Sequence, residues 1–188
     1  MPSSYTTTLG IELMVTGEKS GTWGDITNTN LNIVEQSQGY LSKSIAGGAQ
    51  TTTLTITDGS TATSDARNYI IELTGTITGN QIVTVPDGIE KNYFFKNNTT
   101  GAFTVQIKTA SGTGFTFAAT DKGTRLAYTD GTDLVDVNAA ITTINQFTLP
   151  AADGTANQAI LTDGSGNLSF GDAGISTGKA IAMAIVFG

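Results

Sequence analysis

The chain has 188 residues, of which only 13% are charged and 38% hydrophobic, and it contains 23 glycines. Its net charge of −7, with nine lysines and arginines, argues against nucleic-acid binding, because phosphates are neutralised by clustered cations. Neither cysteine nor histidine occurs, which excludes disulfides, thiolate metal sites and Ser–His–Asp or Cys–His catalysis.

The low charge and the many threonines and glycines are typical of β proteins built from strands and turns. This profile is closer to extracellular or virion proteins than to a metabolic enzyme. No apolar run reaches the roughly eighteen residues that a membrane span needs, so we expect no membrane insertion. The polar, uncharged start predicts no signal peptide, and release by cell lysis would fit a virus particle.

Residues 1–48 are predicted to form an N-terminal arm and an attachment helix. Apolar residues occupy every second position at Leu9, Ile11 and Leu13, and this alternation predicts a short strand. Because no apolar partner segment lies beside it, we expect this strand to pair at a distance or with another chain.

The segment from Gly21 to Glu35 predicts a helix with Asp25 as its N-cap. Trp23, the only tryptophan, is expected to pack on the first turn. The polar residues between are poor helix formers, so the helix should persist only when it is docked. It is either a surface helix of its own domain or a helix docked on a neighbouring chain. The predicted apolar stripe comprises Ile26, Leu31, Ile33 and Val34, and the candidate attachment residues are Trp23, Ile26, Leu31 and Val34.

Residues 49–138 are predicted to form the β body, which follows a connector over residues 36–48. Apolar residues alternate with polar ones between Gly, Asn and Asp turns, as in the run from Phe103 to Lys108. About eight short strands spaced roughly ten residues apart indicate an antiparallel β-sandwich or small barrel. The cluster from Asn97 to Gly101 is predicted to be a turn.

Residues 139–188 are predicted to form an extended C-terminal assembly segment. Ala139 to Phe147 predicts a short helix, and the turn-rich stretch after it has too few apolar residues for a core of its own. The final run, Lys179 to Gly188, is the most apolar of the chain and would aggregate if exposed. It is either a strand of its own sheet or a segment buried at a subunit axis. The candidate oligomerisation residues are Ile181, Met183, Ile185 and Phe187.

No motif predicts a catalytic, cofactor-binding or metal-binding residue. Asp130, Asp133 and Asp136 are the carboxylates closest to a catalytic pair, but they lie in or beside a turn, where aspartate is expected for backbone reasons. Asp163 to Asn167 resembles the start of a calcium loop, yet Leu168 and Gly174 replace its required glycine and glutamate. A turn is the better interpretation, and we expect neither enzyme activity nor a cofactor.

The opening Ser4–Thr7, Leu9-Gly10 and Gly21-Thr22-Trp23-Gly24-Asp25 resemble the start of tail-fibre-type proteins of marine bacteriophages. The segment from Leu149 to Phe170, with its Asp-Gly pairs, is similar to a repeat common in phage fibre and receptor-end proteins. The resemblance implies a homotrimeric virion protein without enzyme activity, assembled in the host cytoplasm and carried on the extracellular particle. It implies other tail or capsid proteins as partners and leaves open a host-surface glycan and a role in host adsorption.

Two alternatives remain open from the sequence. A capsid decoration protein would clamp the shell, as a cement protein or head fibre does. A carbohydrate-binding module would need an aromatic platform, for which Tyr93 and Tyr128 are the candidates; however, aromatic residues are only 7% of the chain and Trp23 lies in the predicted anchor. We therefore expect a trimeric, mainly β virion protein.

Overall fold

The computed structural model describes residues 4–137, 139, 143, 144, 147–172, 185 and 186. The chain divides into two compact units, Met1–Asn138 and Ala139–Gly188. The first unit holds the predicted arm, the helix and the β body. Its arm contains a pair of two-residue strands, β1 (Ser4–Tyr5) and β2 (Glu12–Leu13), and is followed by helix α1 (Trp23–Gln36).

Two β-sheets form the body of the first unit. The strands in chain order are β3 (Tyr40–Ser44), β4 (Gln50–Thr53), β5 (Ile70–Thr76), β6 (Gln81–Val85), β7 (Glu90–Thr100), β8 (Val105–Thr109), β9 (Gly114–Phe117), β10 (Thr124–Asp130) and β11 (Leu134–Asp136). A five-stranded sheet has the order β11-β10-β7-β5-β3, and a four-stranded sheet has the order β4-β6-β8-β9. A short 3-10 helix, Asp65–Arg67, lies in the connection between β4 and β5.

The strands from β3 to β8 alternate between the two sheets. Tyr40 aligns with Ile70 and Ile70 with Phe94 in one sheet, while Gln50 aligns with Gln81 and Gln81 with Val105 in the other. All four of these strand pairings are parallel. The chain therefore winds through three successive coils, each giving one strand to each sheet, as in a β-solenoid.

The remaining strands of the body pair antiparallel and follow the third coil. β9 folds back on β8, β10 pairs with β7, and β11 pairs with β10. The prediction of a mainly β protein with a sandwich-like body is confirmed, but the prediction of antiparallel pairing throughout is wrong for the coils. Core-facing residues of one coil align with those of the next, as Ile71 does with Phe95 and Val83 with Ile107.

One hydrophobic core lies between the two sheets. Both sheets contribute fully buried residues, such as Leu73 from β5 and Phe117 from β9. The rings of Phe95 and Phe115 meet edge to face across the sheets, with 6.1 Å between their centroids. The alternation of buried and less buried residues along β7, β8 and β9 is the pattern of strands with one face on the core.

Several strand boundaries differ from the predictions. The predicted connector contains strand β3, and β4 ends at Thr53, before the alternation of Leu54 and Ile56 that predicted it. β7 continues through the predicted turn to Thr100, because Asn97 is fully buried and its side chain bonds Thr99 and the Asp121 carbonyl. The arm strand β2 pairs locally with β1, not at a distance.

Helix α1 confirms the predicted helix but begins three residues earlier than the expected cap at Asp25 implies. Thr22 is the N-cap and makes no side-chain capping bond, so the prediction of Asp25 as the cap is wrong. Asp25 instead lies in the first turn, where its negative charge is favourable beside the helix N-terminus. The side chain of Trp23 is 63% exposed, which does not support the expected packing on the first turn.

The second unit contains short antiparallel strand pairs. β12 (Thr143–Ile144) pairs with β13 (Phe147–Thr148), and β14 (Gln158–Thr162) pairs with β15 (Leu168–Asp172). The predicted helix over residues 139–147 is therefore wrong at residues 143, 144 and 147, which lie in strands. Ile160 and Leu161 of β14 are 59% and 44% exposed, in line with the small apolar content predicted for this region.

Candidate attachment surface

The outward side of helix α1 carries exposed apolar side chains. Trp23 and Leu31 are 63% and 62% exposed, and Val34 is 47% exposed. Positions 23, 31 and 34 are eight and three residues apart, which places them along one side of a helix. We call Trp23, Leu31 and Val34 the attachment face.

A neighbouring side of α1 carries the less exposed apolar residues of the helix. Ile33 is fully buried, and Ile26 is half-buried. The single apolar stripe predicted from the sequence is therefore divided between two sides of the helix. Of the four candidate attachment residues, Trp23, Leu31 and Val34 lie together on the outward side of the helix. The fourth, Ile26, is half-buried and does not belong to this group.

Asn30 ties the helix to the arm. Its side-chain oxygen accepts a hydrogen bond from the Glu12 amide at 3.0 Å, and its side-chain nitrogen donates to the Glu12 carbonyl at 2.9 Å. The amide of Asn30 therefore pairs with the backbone of β2 as a neighbouring strand would. Leu13, the next residue along β2, is 48% exposed and adds apolar area close to the helix.

Arg67 connects the arm, the helix and the body. It is fully buried, and its guanidinium donates to the carbonyls of Leu9 at 2.8 Å, Thr57 at 2.8 Å and Ser60 at 2.6 Å. It also donates to the Gln36 side-chain oxygen at 2.7 Å, near the end of α1. Burial lowers the pKa of Arg67, but the ordinary value is so high that the group stays charged. A helix with poor intrinsic propensity is thus held by tertiary contacts.

An ion pair stiffens the link between the arm and α1. The Lys19 ammonium lies 2.6 Å from a Glu12 carboxylate oxygen. The bond to Glu12 raises the pKa of Lys19. Because the pair is near the surface, it contributes little to stability, and its effect is on the geometry of the arm.

The attachment face is suited to an apolar partner surface. The helix carries no basic residue in its last turn and one acidic residue, Asp25, in its first turn. An amphipathic helix whose apolar side faces outward docks in hydrophobic grooves, where a buried tryptophan often contributes much of the binding energy. The rigid mounting through Ile33, Asn30 and Arg67 lowers the ordering cost of such docking.

The aspartates considered for chemistry each bond within turns or to a neighbouring arginine. Asp130 accepts from the amides of Thr132 and Asp133, which lowers its pKa. Asp133 accepts from the Thr113 amide and hydroxyl, and Asp136 pairs with Arg125.

The segment that resembles a calcium loop forms a turn closed by its own aspartate. Asp163 accepts from the amides of Ser165 and Asn167 and from the Asn167 side chain, and these bonds lower its pKa. Within the described part of the chain, no cluster of three or more acidic residues could hold a metal ion.

Most of the predicted oligomerisation residues lie outside the described residues, namely Ile181, Met183 and Phe187. Ile185 is described, has helical backbone and is 77% exposed, and Val186 beside it is 69% exposed. No helix among the described residues is long and apolar enough to cross a membrane.

Sequence reasoning missed Asn30 and Arg67, whose roles depend on distant partners. Arg67 bonds residues as far as 58 positions away. The sequence gives one indication of this role: in a chain with few charged residues, an arginine lies between a turn and a strand.

Comparison with family models, curated proteins and solved structures finds no match to this chain.

Proposed function

We propose that the protein is a structural component of a bacteriophage virion, attached to the particle through the attachment face and assembled as a homotrimeric fibre-type appendage. The observation that carries this proposal is the exposed apolar side of a helix that is otherwise firmly held. Soluble monomers seldom keep a tryptophan and two aliphatic side chains exposed together without a partner.

The size of the face favours attachment by several copies. Burying the remaining exposed area of Trp23, Leu31 and Val34 would stabilise a complex by about 1–2 kcal/mol for each side chain. Association costs at least about 4 kcal/mol, so one face alone supports only weak binding. Three faces on one trimer bind with high effective concentration, which turns a weak contact into a lasting one.

The second unit supports the trimer part of the proposal. Its hairpins bury little, and Phe147, Ile160 and Leu161 are all more than a third exposed. Apolar side chains of this kind are stabilised when copies of a segment pack on each other. The resemblance of this segment to phage fibre repeats points in the same direction.

Two measurements on the intact chain test the proposal. Native mass spectrometry at micromolar concentration is expected to give a trimer, and a stable monomer would contradict the trimeric assembly. Immunogold electron microscopy of phage particles encoding the chain is expected to label tails. Label on DNA-filled heads without tails would favour the decoration role, and particles without label would refute a virion function.

A further inference from the structure

A surface cavity of about 710 Å³ lies where the arm, the end of α1 and the five-stranded sheet meet in the first unit. This volume is in the range of small-molecule sites. Its wall includes Tyr69 and, at the start of β7, Lys91 and Asn92. The cavity is separate from the attachment face, since none of Trp23, Leu31 and Val34 lines it.

Lys91 is a largely buried cation in this wall. Its ammonium donates to the carbonyl oxygens of Arg67 and Asn68 and lies 4.6 Å from the centroid of the Tyr93 ring. An ammonium has three protons to donate. Two go to the carbonyls, and the third has the face of the Tyr93 ring as its only neighbouring acceptor among the described contacts, a weak one that a carboxylate would replace.

No carboxylate compensates the charge of Lys91 in the described part of the chain. None of the ion pairs found there includes it. The charged group that acts on it is another cation, Arg67, whose guanidinium bonds only neutral oxygens. Burial and Arg67 lower the pKa of Lys91 to about 8. The Asp58 carboxylate acts on Arg67, whereas only burial and Arg67 act on Lys91. A bound negative group beside Lys91 would therefore be favourable.

The rest of the wall combines apolar surface, from residues such as Leu9 and Ile11, with hydroxyl and amide groups. Thr6, Thr7 and Thr8 supply hydroxyls and Asn92 supplies an amide, while the Ser37 hydroxyl already donates to the Val34 carbonyl. Tyr69 adds a half-buried ring, which meets Phe94 edge to face with 5.3 Å between the centroids. Such a lining matches a small molecule that carries several hydroxyls and one apolar face.

We propose that this cavity binds a hydroxylated organic carboxylate of the size of a uronic acid. The carboxylate accepts the remaining ammonium proton of Lys91, and the hydroxyls of the ligand bond the threonines and Asn92. Tyr69 offers its ring to the apolar face of the ligand. The site goes beyond the proposed attachment function and stands without it.

The test titrates the intact chain with D-galacturonate and follows the amide signals by NMR. Galacturonate is expected to shift the signals of Tyr69, Lys91 and Asn92. Neutral D-galactose, which lacks the carboxylate, and acetate, which lacks the hydroxyls, are expected to bind at least about tenfold more weakly. Equal binding of galactose would refute the role of Lys91. Binding of inorganic phosphate without binding of galacturonate, or no shift at all, would overturn the proposal.

Two matched variants locate the site. Lys91→Gln is expected to weaken galacturonate binding by at least about tenfold, as the loss of a charged hydrogen bond predicts. Lys108→Gln removes the same charge from β8, outside the cavity lining, and is expected to leave binding unchanged. Equal losses in both variants would show only a general charge effect and would refute the site. Because the NMR titration needs no variant, the proposal stays testable if Lys91→Gln does not fold.

Discussion

Replacement of Arg67 by methionine should destabilise the first unit strongly. The side chain is fully buried and donates four hydrogen bonds, to the carbonyls of Leu9, Thr57 and Ser60 and to the Gln36 side chain. Methionine fills a similar volume but leaves these four acceptors without their donor. At about 1 kcal/mol for each acceptor left unsatisfied, the free energy of unfolding should fall by roughly 4 kcal/mol.

Urea denaturation followed by far-UV circular dichroism measures this loss. Fluorescence is less suitable, because the only tryptophan is 63% exposed in the folded chain. A fall of 4 kcal/mol corresponds to a decrease in Tm of roughly 10–15 °C for a protein of this size. Lys108→Met serves as the control, since it removes a cation that is only half-buried, and should change stability by less than about 0.5 kcal/mol.

Hydrogen exchange distinguishes a clamp from a general core residue. If Arg67 holds the arm and α1, exchange of the Glu12 and Ile33 amides should accelerate in Arg67→Met more than exchange in β5 and β7. A loss of stability below about 1 kcal/mol, or an equal acceleration throughout the sheets, would refute the assignment of Arg67 as the connection between the arm, the helix and the body.

Three further outcomes follow from close contacts and charges. Gly114→Ala should destabilise the hairpin of β8 and β9, measured by urea denaturation, because an added Cβ would lie 1.9 Å from the Ile107 carbonyl oxygen. The Glu72 carboxyl should titrate at about 2 by NMR, since Lys96, 2.8 Å away, holds its pKa low; Lys96→Gln should raise that midpoint. Galacturonate binding should weaken as the pH rises through about 8, where Lys91 loses its proton.

Each of these outcomes has a contrary result. Gly48→Ala adds a Cβ with nothing within 4 Å, so equal destabilisation by both alanines would refute the steric argument. An unchanged titration of Glu72 in Lys96→Gln would mean that the Tyr40 hydroxyl, which also bonds Glu72, is sufficient. Binding of galacturonate that stays constant up to high pH would contradict the contact with the Lys91 ammonium.

Alternation along the chain predicted the faces of strands but not their partners. Ile71, Leu73, Val83 and Val85 are buried as their spacing indicates. Parallel pairing between coils, however, depends on contacts 24 residues or more apart in the chain, as between Ile70 and Phe94. Because the coils differ in length and share no repeated motif, the sequence pattern alone favoured the more common antiparallel arrangement.

Polar residues account for the remaining differences between the predicted and the observed structure. Asn97 belongs to a cluster that is typical of turns, yet its buried amide finds partners in Thr99 and Asp121, so β7 continues through it. The exposure of Trp23 could not be predicted from the residues of α1 alone. Which side of an amphipathic helix faces the body depends on Asn30 and Gln36, whose partners, Glu12 and Arg67, lie outside the helix.

The most direct test of attachment counts the copies of the chain on purified phage particles grown with variants of its gene. A triple variant, Trp23→Ser, Leu31→Ser and Val34→Ser, should fold normally, because these exposed side chains contribute little to the core. The control is Glu35→Ser, an exposed change on the same helix. Quantitative mass spectrometry of the particles is expected to show normal copy number for the control and at least about a tenfold loss for the triple variant. Normal occupancy of the particle by the folded triple variant would contradict attachment through this face.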